Sequence, residues 1–558
     1  MNTYMFARLK AASNHKLAHK GWGGGGPRRT SLPARLQPLF VACLLAPLIL
    51  PARLAQSSQS TWPNRLVYAA GLTPRGLNPL LDRNGWNEVS SAIVSRLFRP
   101  DHKGGIEGDL AESYTVSDDG RTYDVKLRRD VVWHDGQPFT ADDVIFTWQK
   151  LFDPATQTSL DLNQASLTST HKVTNHSVQF VLKDPDSGFL VAVTEIPILP
   201  KHVLAESDIN GDAFDKQPVG TGAYKLIARV DWETPEPAAL LARHERYHLG
   251  MPAFSELLIT VIADDAKRAQ AIARGGADLG SVKPPDVEKL RAASRRVYRM
   301  RTGAWRAMPL NLLNATLRDR RIRQAIDLAI DREAIVREAL QGYGEAAYSP
   351  IPPASWAFRP EMNAKRYDPA RAGALLAEAG WKKNTVGILT KDGQPLKLRW
   401  IVWKDEFFRR TAAELISKQL RPLGIAVELK MVDNTEYNRL AENMGLDYDT
   451  FIGGWGGLLD PGDNLYKKYH SRGSQNRQAY SNAQVDKWLE EARRATNRGD
   501  AIRLYRRIVE QITADAVFLP IAYPDYLFAA REELAGIEEY TLDSWYEFTK
   551  FAAEWKPK

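Results

Sequence analysis

The sequence predicts an α/β protein of several domains. Its 558 residues are 44% hydrophobic and 25% charged, which is ordinary for a folded globular chain and excludes a disordered or collagen-like one. Hairpin patterns dominate residues 105–185, and helices alternate with strands from residue 310 onward. At roughly 150 residues per domain, this length corresponds to three or four domains.

The first half of the chain is predicted to contain β-hairpins. Apolar residues alternate with polar ones over 123–127, directly after the turn sequence SDDG at 117–120. The sequence TADD at 140–143 has the spacing of a capping box and predicts a helix over 144–152. Alternation returns at 178–182, which predicts another half-buried strand.

The second half is predicted to contain a βαβ unit. Residues 396–402 and 425–431 have the two-residue period of strands, and the stretch 406–421 between them has a helical pattern. Two strands joined in this way are parallel, with a right-handed crossover in nearly every known case. A further helix is predicted between the N-cap Asp368 and Gly380. A parallel sheet covered by helices makes this region α/β.

A glycine-rich stretch follows a third predicted strand. The strand YDTFI at 448–452 runs directly into Gly453-Gly454-Trp455-Gly456-Gly457. Ligands of open α/β sheets bind at the carboxyl ends of strands, and glycines there let backbone amides approach a ligand. Trp455 offers a flat face for stacking. The alternative is that Trp455 fills a core pocket and that the glycines only make a tight turn.

The positive charge is confined to the first 58 residues. The formal net charge is +8, and residues 1–58 hold eight Lys or Arg and no Asp or Glu. Subtracting these eight from the 75 basic residues leaves 67, which equals the 67 acidic residues. A neutral remainder gives no indication of nucleic-acid binding.

The same 58 residues are predicted to be an export signal region. The apolar run LFVACLLAPLIL at 39–50 is shorter than the about 20 residues that span a bilayer, and small residues follow it. We expect cleavage near Ala55 and a periplasmic protein. The pair Arg28-Arg29 leaves a twin-arginine route open, whereas Cys43 lies inside the apolar run, where a lipid anchor is not expected.

One motif resembles a catalytic metal site. His244-Glu245-Arg246-Tyr247-His248 matches H-E-x-x-H and raises the alternative of a secreted zinc metallopeptidase. A zincin needs this motif on a long helix, but residues 238–242 have a strand pattern and Gly250 follows closely. We therefore interpret it as a strand-to-loop segment with two surface histidines. No catalytic residue, metal or cofactor is predicted, and the protein is not expected to be an enzyme.

A long stretch resembles a known protein family. Residues 108–148, GDLAESYTVSDDGRTYDVKLRRDVVWHDGQPFTADDVIFTW, are similar almost position by position to the signature of extracellular solute-binding proteins of the dipeptide, oligopeptide and nickel class, family 5. These proteins serve ATP-binding-cassette importers. The resemblance covers essentially the whole mature chain through Leu77-Asn78-Pro79, PVGTGAY at 218–224, Asn311 ahead of DRRIRQA at 319–325, Tyr367-Asp368-Pro369 and Ala379-Gly380-Trp381.

This resemblance implies a fold and a role. The fold is the two-lobed periplasmic-binding-protein fold, type II-like, with a hinge of two segments and an extra α/β domain inserted in lobe I. The implied boundaries are 59–98, 213–309 and 517–558 for lobe I, 99–212 for the extra domain and 310–516 for lobe II. The implied role is that of a monomer that captures a peptide or peptide-like solute between the lobes and delivers it to a membrane permease and its ATPase.

The resemblance also implies where the ligand binds. Amide hydrogen bonds are expected from Asn78 and Asn311, stacking from Trp403 and Trp455, close backbone approach at Gly456 and Gly457, and charge pairing from Asp460 or Asp463.

One departure from the family pattern bears on the ligand. Peptide binders of this family generally place an Asp about three residues after the loop tryptophan, where it pairs with the peptide ammonium, but here Leu458 stands there. Either Asp460 substitutes, or the ligand has no free amino terminus. The spacing from Trp455 to Pro461 is similar to that of nickel-type and sugar- or opine-type members, which leaves a sugar, an opine or a nickel chelate as alternatives. A scaffold or chaperone that grips unfolded peptides is a third hypothesis.

Overall fold

The computed structural model describes residues 62–81, 87–101, 105–158, 160, 167–442, 447–456, 460–542 and 545–558. The predicted export region at 1–58, with Cys43 and the cleavage position, lies outside the described residues, as do Gly457 and Leu458. The strands, in chain order, are β1 (Arg65–Ala70), β2 (Phe98–Pro100), β3 (Ile106–Gly108), β4 (Ala111–Val116), β5 (Thr122–Leu127), β6 (Leu167–Thr174), β7 (Ser177–Leu182), β8 (Tyr224–Val230), β9 (Ala238–Arg243), β10 (Glu256–Val261), β11 (Leu279–Val282), β12 (Arg295–Thr302), β13 (Trp305–Pro309), β14 (Gly344–Ala346), β15 (Lys382–Lys383), β16 (Leu389–Lys391), β17 (Gln394–Pro395), β18 (Lys397–Trp403), β19 (Ala426–Val432), β20 (Thr450–Phe451), β21 (Gly453–Trp455), β22 (Phe518–Pro524), β23 (Tyr526–Arg531), β24 (Leu534–Ala535), β25 (Thr541–Leu542) and β26 (Lys556–Pro557).

The α-helices are distributed over the whole described chain. They are α1 (Glu88–Ile93), α2 (Ala141–Phe152), α3 (Phe189–Val193), α4 (Lys201–Leu204), α5 (Ala213–Lys216), α6 (Asp265–Ala273), α7 (Val287–Ala292), α8 (Ala315–Arg318), α9 (Arg320–Ala329), α10 (Arg332–Ala339), α11 (Pro369–Glu378), α12 (Phe407–Leu420), α13 (Asn434–Glu442), α14 (Pro461–Tyr469), α15 (Ala483–Arg494) and α16 (Arg498–Asp515). Short 3-10 helices cover Pro284–Asp286, Pro360–Asn363, Arg421–Leu423 and Trp545–Phe551.

The first lobe is organised around an eight-stranded sheet. Its strand order is β25-β12-β23-β11-β1-β10-β9-β8, and β1 is parallel to both β10 and β11. The strands come from chain segments far apart in the sequence, including the last residues, and β1 is almost entirely buried in the centre. The sheet therefore forms only when the early and the late parts of the chain have met.

The predicted hairpins form a separate four-stranded antiparallel sheet. Its order is β4-β5-β7-β6, and Gly120 makes the turn between β4 and β5 with a φ of +68°. The capping box of Thr140 and Asp143 is present, but α2 begins at Ala141, earlier than predicted, because the residues inside the box are already helical. One hydrophobic core joins this sheet to the eight-stranded one, since Phe180 and Tyr68 belong to the same buried cluster.

The second lobe confirms the predicted βαβ unit. β18 pairs in parallel with β19 and with β20, and α12 connects β18 to β19. Asp368 caps α11, and Gly380 follows that helix with a φ of +87°, as predicted. Beside this sheet lies a second, four-stranded sheet of order β14-β22-β13-β21. The hydrophobic clusters of this lobe share no residue with the core of the first lobe.

The chain passes between the eight-stranded and the four-stranded sheets at two places. Residues 303–304 join β12 to β13, and Asp525 alone joins β22 to β23. The hydroxyl of Thr302 donates a hydrogen bond of 2.9 Å to the carbonyl of Pro524, which ties the two crossing segments together. Two adjacent short connections between separate cores have the geometry of a hinge.

The lobes also touch away from these crossings. The backbone N–H of Ser187, in the loop after β7, donates to the carbonyl of Arg493 at the end of α15 over 2.9 Å. The carboxylate of Asp186 lies 3.5 Å from the guanidinium of the same Arg493. In the described part of the chain, no helix is both long enough and apolar enough to cross a membrane.

Candidate functional site

The edges of the two lobes that face each other carry the ends of parallel strands. In the first lobe, β11 ends at Val282 and Lys283 follows it, while Tyr526 begins β23 at the same edge because Val282 pairs with Leu527. In the second lobe, β18 ends at Trp403. Ligands of open α/β sheets bind beyond such carboxyl ends, so these edges form the candidate site.

Charged side chains from both lobes meet in this cleft. Lys283 of the first lobe interacts electrostatically with Glu406 and Arg306 of the second lobe. The surrounding protein lowers the pKa of Lys283 by desolvation, although the side chain keeps exposed surface. Lys283 is exposed, and charged groups of both lobes act on it, as expected for a residue on a cleft wall.

Arg306 enters the cleft from β13. Its Nη1 reaches only the carbonyl of Trp305, at 3.4 Å, and it makes no ion pair with any residue that the structure describes. Desolvation lowers its pKa and the nearby charge of Arg409 lowers it further, against the opposite effects of Tyr526, Glu406 and Tyr437. Arg306 is therefore a half-buried cation without a counter-ion among the described residues.

Arg409, near the start of α12, lies against two neighbouring aromatic rings. Its guanidinium carbon is 5.0 Å from the ring centre of Trp403 and 5.1 Å from that of Tyr437. Its backbone N–H donates to the carboxylate of Glu406 over 2.7 Å, so Glu406 caps the helix. The Nε of Arg409 is buried and has no hydrogen-bond partner among the described residues.

Trp455, on the short strand β21, packs on the same aromatic cluster as Trp403. Both rings pack on the cluster around Tyr437 and Phe451, and Trp455 keeps part of its surface exposed. Phe518 lies 4.9 Å from Trp455 between ring centres. The structure thus places the two predicted stacking residues on one aromatic cluster, and both are half-buried.

Gly453 and Gly454 have a different role from the predicted one. They do not form a loop after a strand, because β21 pairs with β13 in antiparallel register. A Cβ on Gly453 would lie 2.1 Å from the ring of Trp455, and a Cβ on Gly454 would lie 2.6 Å from the guanidinium of Arg306. The two glycines make room for these side chains, and half-buried Gly456 follows directly.

The two predicted asparagines hold backbone segments. Asn78 is 5% exposed, and its amide accepts from Leu80 N–H at 3.1 Å and donates to the carbonyl of Ile209 at 3.5 Å. Asn311 is fully buried, and its amide donates to the carbonyl of Tyr448 at 3.0 Å. Ligand contact by either residue stays a prediction.

Asp460 and Asp463 lie at the start of α14. Asp460 is 5% exposed and caps the helix, with one oxygen accepting from Gly462 N–H at 2.7 Å and the other from the indole of Trp356 at 3.0 Å. Burial raises the pKa of Asp460 to about 6. Asp463 pairs with Lys467 at 2.5 Å. Their pairing with a ligand stays a prediction.

Replacing Asp460 tests what its charge does to the fold. Because the pKa of Asp460 is raised in the folded protein, the stability that this residue contributes is complete below pH 3.8 and is lost as pH rises through about 6. We expect Asp460→Asn to stabilise the protein by about 1 to 2 kcal/mol at pH 7, since the removed charge outweighs one lost acceptor. Denaturant unfolding at pH 4 and pH 7 checks this, with exposed Asp118→Asn as the control. An equal effect at both pH values contradicts it.

The H-E-x-x-H segment is not on a helix. His244 directly follows β9, and residues 244–250 form turns. The expectation of two surface histidines is wrong, because His244 is 6% exposed and the side chain of His248 is 1% exposed. His244 Nδ1 lies 3.2 Å from the carbonyl of Gly222, and His248 Nε2 lies 2.7 Å from the carboxylate of Asp109. The two rings therefore serve different contacts between elements, and no metal-binding cluster is found among the described residues.

Comparison with known proteins decides the family. The family model described as bacterial extracellular solute-binding proteins, family 5 Middle, matches residues 105–476. The chain belongs to the family 5 solute-binding proteins. The oligopeptide-binding protein AppA of Bacillus subtilis is 30% identical over 481 residues, covering 83% of this chain and 87% of AppA.

Two solved structures of family 5 proteins show the same two-lobed α/β fold. NikZ from Campylobacter jejuni in complex with Ni(L-His) has a TM-score of 0.79 and 28% identity, over 88% of this chain and 99% of NikZ. AppA from Bacillus subtilis in complex with a nonapeptide has a TM-score of 0.74 and 27% identity, over 88% of this chain and 99% of AppA. Family 5 members are solute-binding transport proteins.

The charged residues of this family 5 cleft were not predicted from the sequence. Lys283, Arg306 and the α12 start with Glu406 and Arg409 come from three separate elements, so no local motif connects them. One signal was present, because Arg306 is the only charged residue in the otherwise apolar strand WRAMP. A charge inside such a strand indicates a side chain with a specific partner or ligand.

Proposed function

We propose that this protein is the solute-binding component of an ATP-binding-cassette importer and captures a peptide or peptide-like solute in the cleft between its lobes. The observation that carries this proposal is the pair of facing sheet edges, connected by two short crossings and lined from both lobes. A ligand that contacts both edges stabilises the closed arrangement over the open one, and only this difference drives closure. The closed form then docks on a membrane permease with its ATPase.

Several finer features belong to the same proposal. We place lobe I at 59–98, 213–309 and 517–558, the extra domain at 99–212 and lobe II at 310–516. The shared core of the first sheet and the hairpin sheet supports a motion in which lobe II moves against the other two parts. We further propose export by the leader, action in the periplasm as a monomer, and no catalysis.

The solute class is supported by the relatives and by the aromatic faces of the cleft. AppA binds oligopeptides, and one of its structures holds a nonapeptide. NikZ holds Ni(L-His), an amino-acid chelate, and its similarity supports a small chelate or organic acid as the second candidate. In both cases Trp403 and Trp455 are half-buried aromatic residues at the cleft, and we expect a planar amide or ring to stack on their exposed part.

A ligand screen tests the proposal. Purified protein is heated with a library of peptides, opines, sugars and metal chelates, and unfolding and tryptophan fluorescence are recorded. We expect at least one compound to raise Tm, because a ligand at 100 times its Kd adds about 2.7 kcal/mol to stability. Small-angle scattering should show a smaller radius of gyration with that compound.

The variant Trp403→Ala tests whether the compound that raises Tm binds in the cleft. We expect it to weaken binding at least tenfold, whereas Trp232→Ala, in the turn between β8 and β9, leaves binding unchanged. Stacking on one aromatic face contributes about 1 kcal/mol or more, which supports a change of this size. A library without any stabilising compound, or equal binding by both variants, contradicts the proposal.

A further inference from the structure

We propose that the solute is recognised through an oxyanion, a carboxylate in the first place, held between Arg306 and Arg409 of lobe II and closed over by Lys283 of lobe I. This inference rests on the proposed function and specifies which chemical group the cleft selects. Peptide binding as such does not require it, since the amino end of a peptide could equally be the anchored group.

The first support is the balance of charge in the cleft. Three cations interact electrostatically there. Glu406 acts on both Lys283 and Arg306, whereas Asp265 acts on Lys283 and is already paired with Arg268. Neither arginine forms an ion pair with a described residue, and the Arg409 Nε is buried without a partner. Arg409 lowers the pKa of Arg306, and Arg306 lowers that of Lys283, so the cluster is unfavourable unless an anion joins it.

The second support is that the arginines are held in place without a counter-ion. The backbone of Gly454 lies against the guanidinium of Arg306, and the guanidinium of Arg409 rests against the neighbouring rings of Trp403 and Tyr437. Arg409 also occupies the first turn of α12, where the helix dipole disfavours a positive charge. A guanidinium fixed in this way presents planar donors that match a carboxylate or phosphate bidentately.

The third support is the position of Glu406, the acid that acts on cations of both lobes. Glu406 already accepts the backbone N–H of Arg409 and caps the helix, so it competes with an incoming anion for the same cations. Removing its charge therefore changes affinity in opposite directions for the two ligand classes. Glu406→Gln should strengthen binding of an anion and weaken binding of a ligand held by its ammonium group.

The experiment has two parts. The full-length chain is expressed in bacteria grown on peptide-rich medium, and the isolated protein is examined by native mass spectrometry for a retained small molecule. In parallel, Tm is measured with N-acetyl-trialanine, its C-terminal amide, trialanine amide and inorganic phosphate. N-acetyl-trialanine and its amide differ only in the presence of a carboxylate. Trialanine amide has an ammonium group and no carboxylate. Inorganic phosphate shows whether any oxyanion binds or a carboxylate is required.

We expect the retained molecule to carry an oxyanion, and N-acetyl-trialanine to raise Tm where its amide does not. Arg306→Gln and Arg409→Gln should each weaken binding by about 10-fold to 100-fold, as for loss of charge-assisted hydrogen bonds. Arg409→Lys should retain more affinity than Arg409→Gln. The matched control is Arg410→Gln, an exposed neighbour on the same helix whose guanidinium bonds the carbonyl of Lys404.

Several outcomes overturn the inference. One is a retained molecule without an oxyanion, and another is an equal Tm shift, or no shift, with N-acetyl-trialanine and its amide. The inference also fails if Glu406→Gln binds an anion more weakly than the unaltered protein does. It fails likewise if Arg306→Gln and Arg409→Gln both keep full affinity. A retained cationic or neutral molecule leaves the proposed solute-binding function standing and removes only the oxyanion. Circular dichroism of each ligand-free variant separates loss of binding from loss of fold.

Discussion

Arg332→Met is expected to lower the free energy of unfolding of the second lobe by about 4 kcal/mol. Arg332 is fully buried at the start of α10, where its Nε donates to the carbonyl of Pro520 in β22 over 2.6 Å and its Nη2 pairs with Asp327. Removing one partner of a buried ion pair leaves the other charge uncompensated, which costs about 3 to 5 kcal/mol. Arg366, at 3.1 Å from Asp327, offsets only part of this loss.

Denaturant unfolding followed by circular dichroism measures the change. The double variant Asp327→Asn with Arg332→Met should recover part of the lost stability, because the orphaned charge is then gone. Arg337→Ala, exposed on the same helix, is the matched control and should leave the midpoint unchanged. If the double variant is no more stable than Arg332→Met, packing rather than charge explains the loss.

Glu88→Gln is expected to stabilise the first lobe by about 2 to 3 kcal/mol at pH 7. Glu88 is 1% exposed at the start of α1, its Oε1 has no partner among the described residues, and burial raises its pKa to about 8. The folded protein thus keeps a neutral acid that the unfolded chain ionises at pH 7. Each pKa unit of this difference corresponds to about 1.4 kcal/mol, and glutamine removes the cost.

The pH dependence of the stability gain shows whether it comes from the ionisation of Glu88. Because the folded pKa is raised, the contribution of Glu88 is complete below pH 4.5 and is lost as pH rises to about 8. The gain from Glu88→Gln should therefore be near zero at pH 4.5 and largest at pH 8, as measured by urea unfolding at both values. Exposed Glu112→Gln should show no such trend. A gain independent of pH contradicts the assignment.

The sequence was most informative where structure depends on neighbouring residues. The strands around α12, the turn at Gly120 and the caps at Thr140 and Asp368 all follow from periodicity or from side chains that bond adjacent backbone. The role of Gly454 was not predictable, because the atom that excludes a side chain there belongs to Arg306.

In the candidate site, too, the residues set by local sequence were predicted and those set by distant contacts were not. Trp403 and Trp455 could be named in advance because each stands at or beyond the end of a strand with a recognisable pattern. Lys283 and Arg306 could not, since their meeting depends on how one lobe faces the other. Burial was equally unpredictable at His248, whose partner Asp109 is distant in sequence.

The position of β23 in the eight-stranded sheet has a consequence for the order in which the protein is made. This strand separates β12 from β11, yet it is built from residues 526–531, among the last in the sequence. While the ribosome extends the chain, β12 and β11 have no common neighbour until nearly every residue has been added. The eight-stranded sheet is thus completed only near the end of synthesis, after the strands that flank β23 have long been present without their common neighbour.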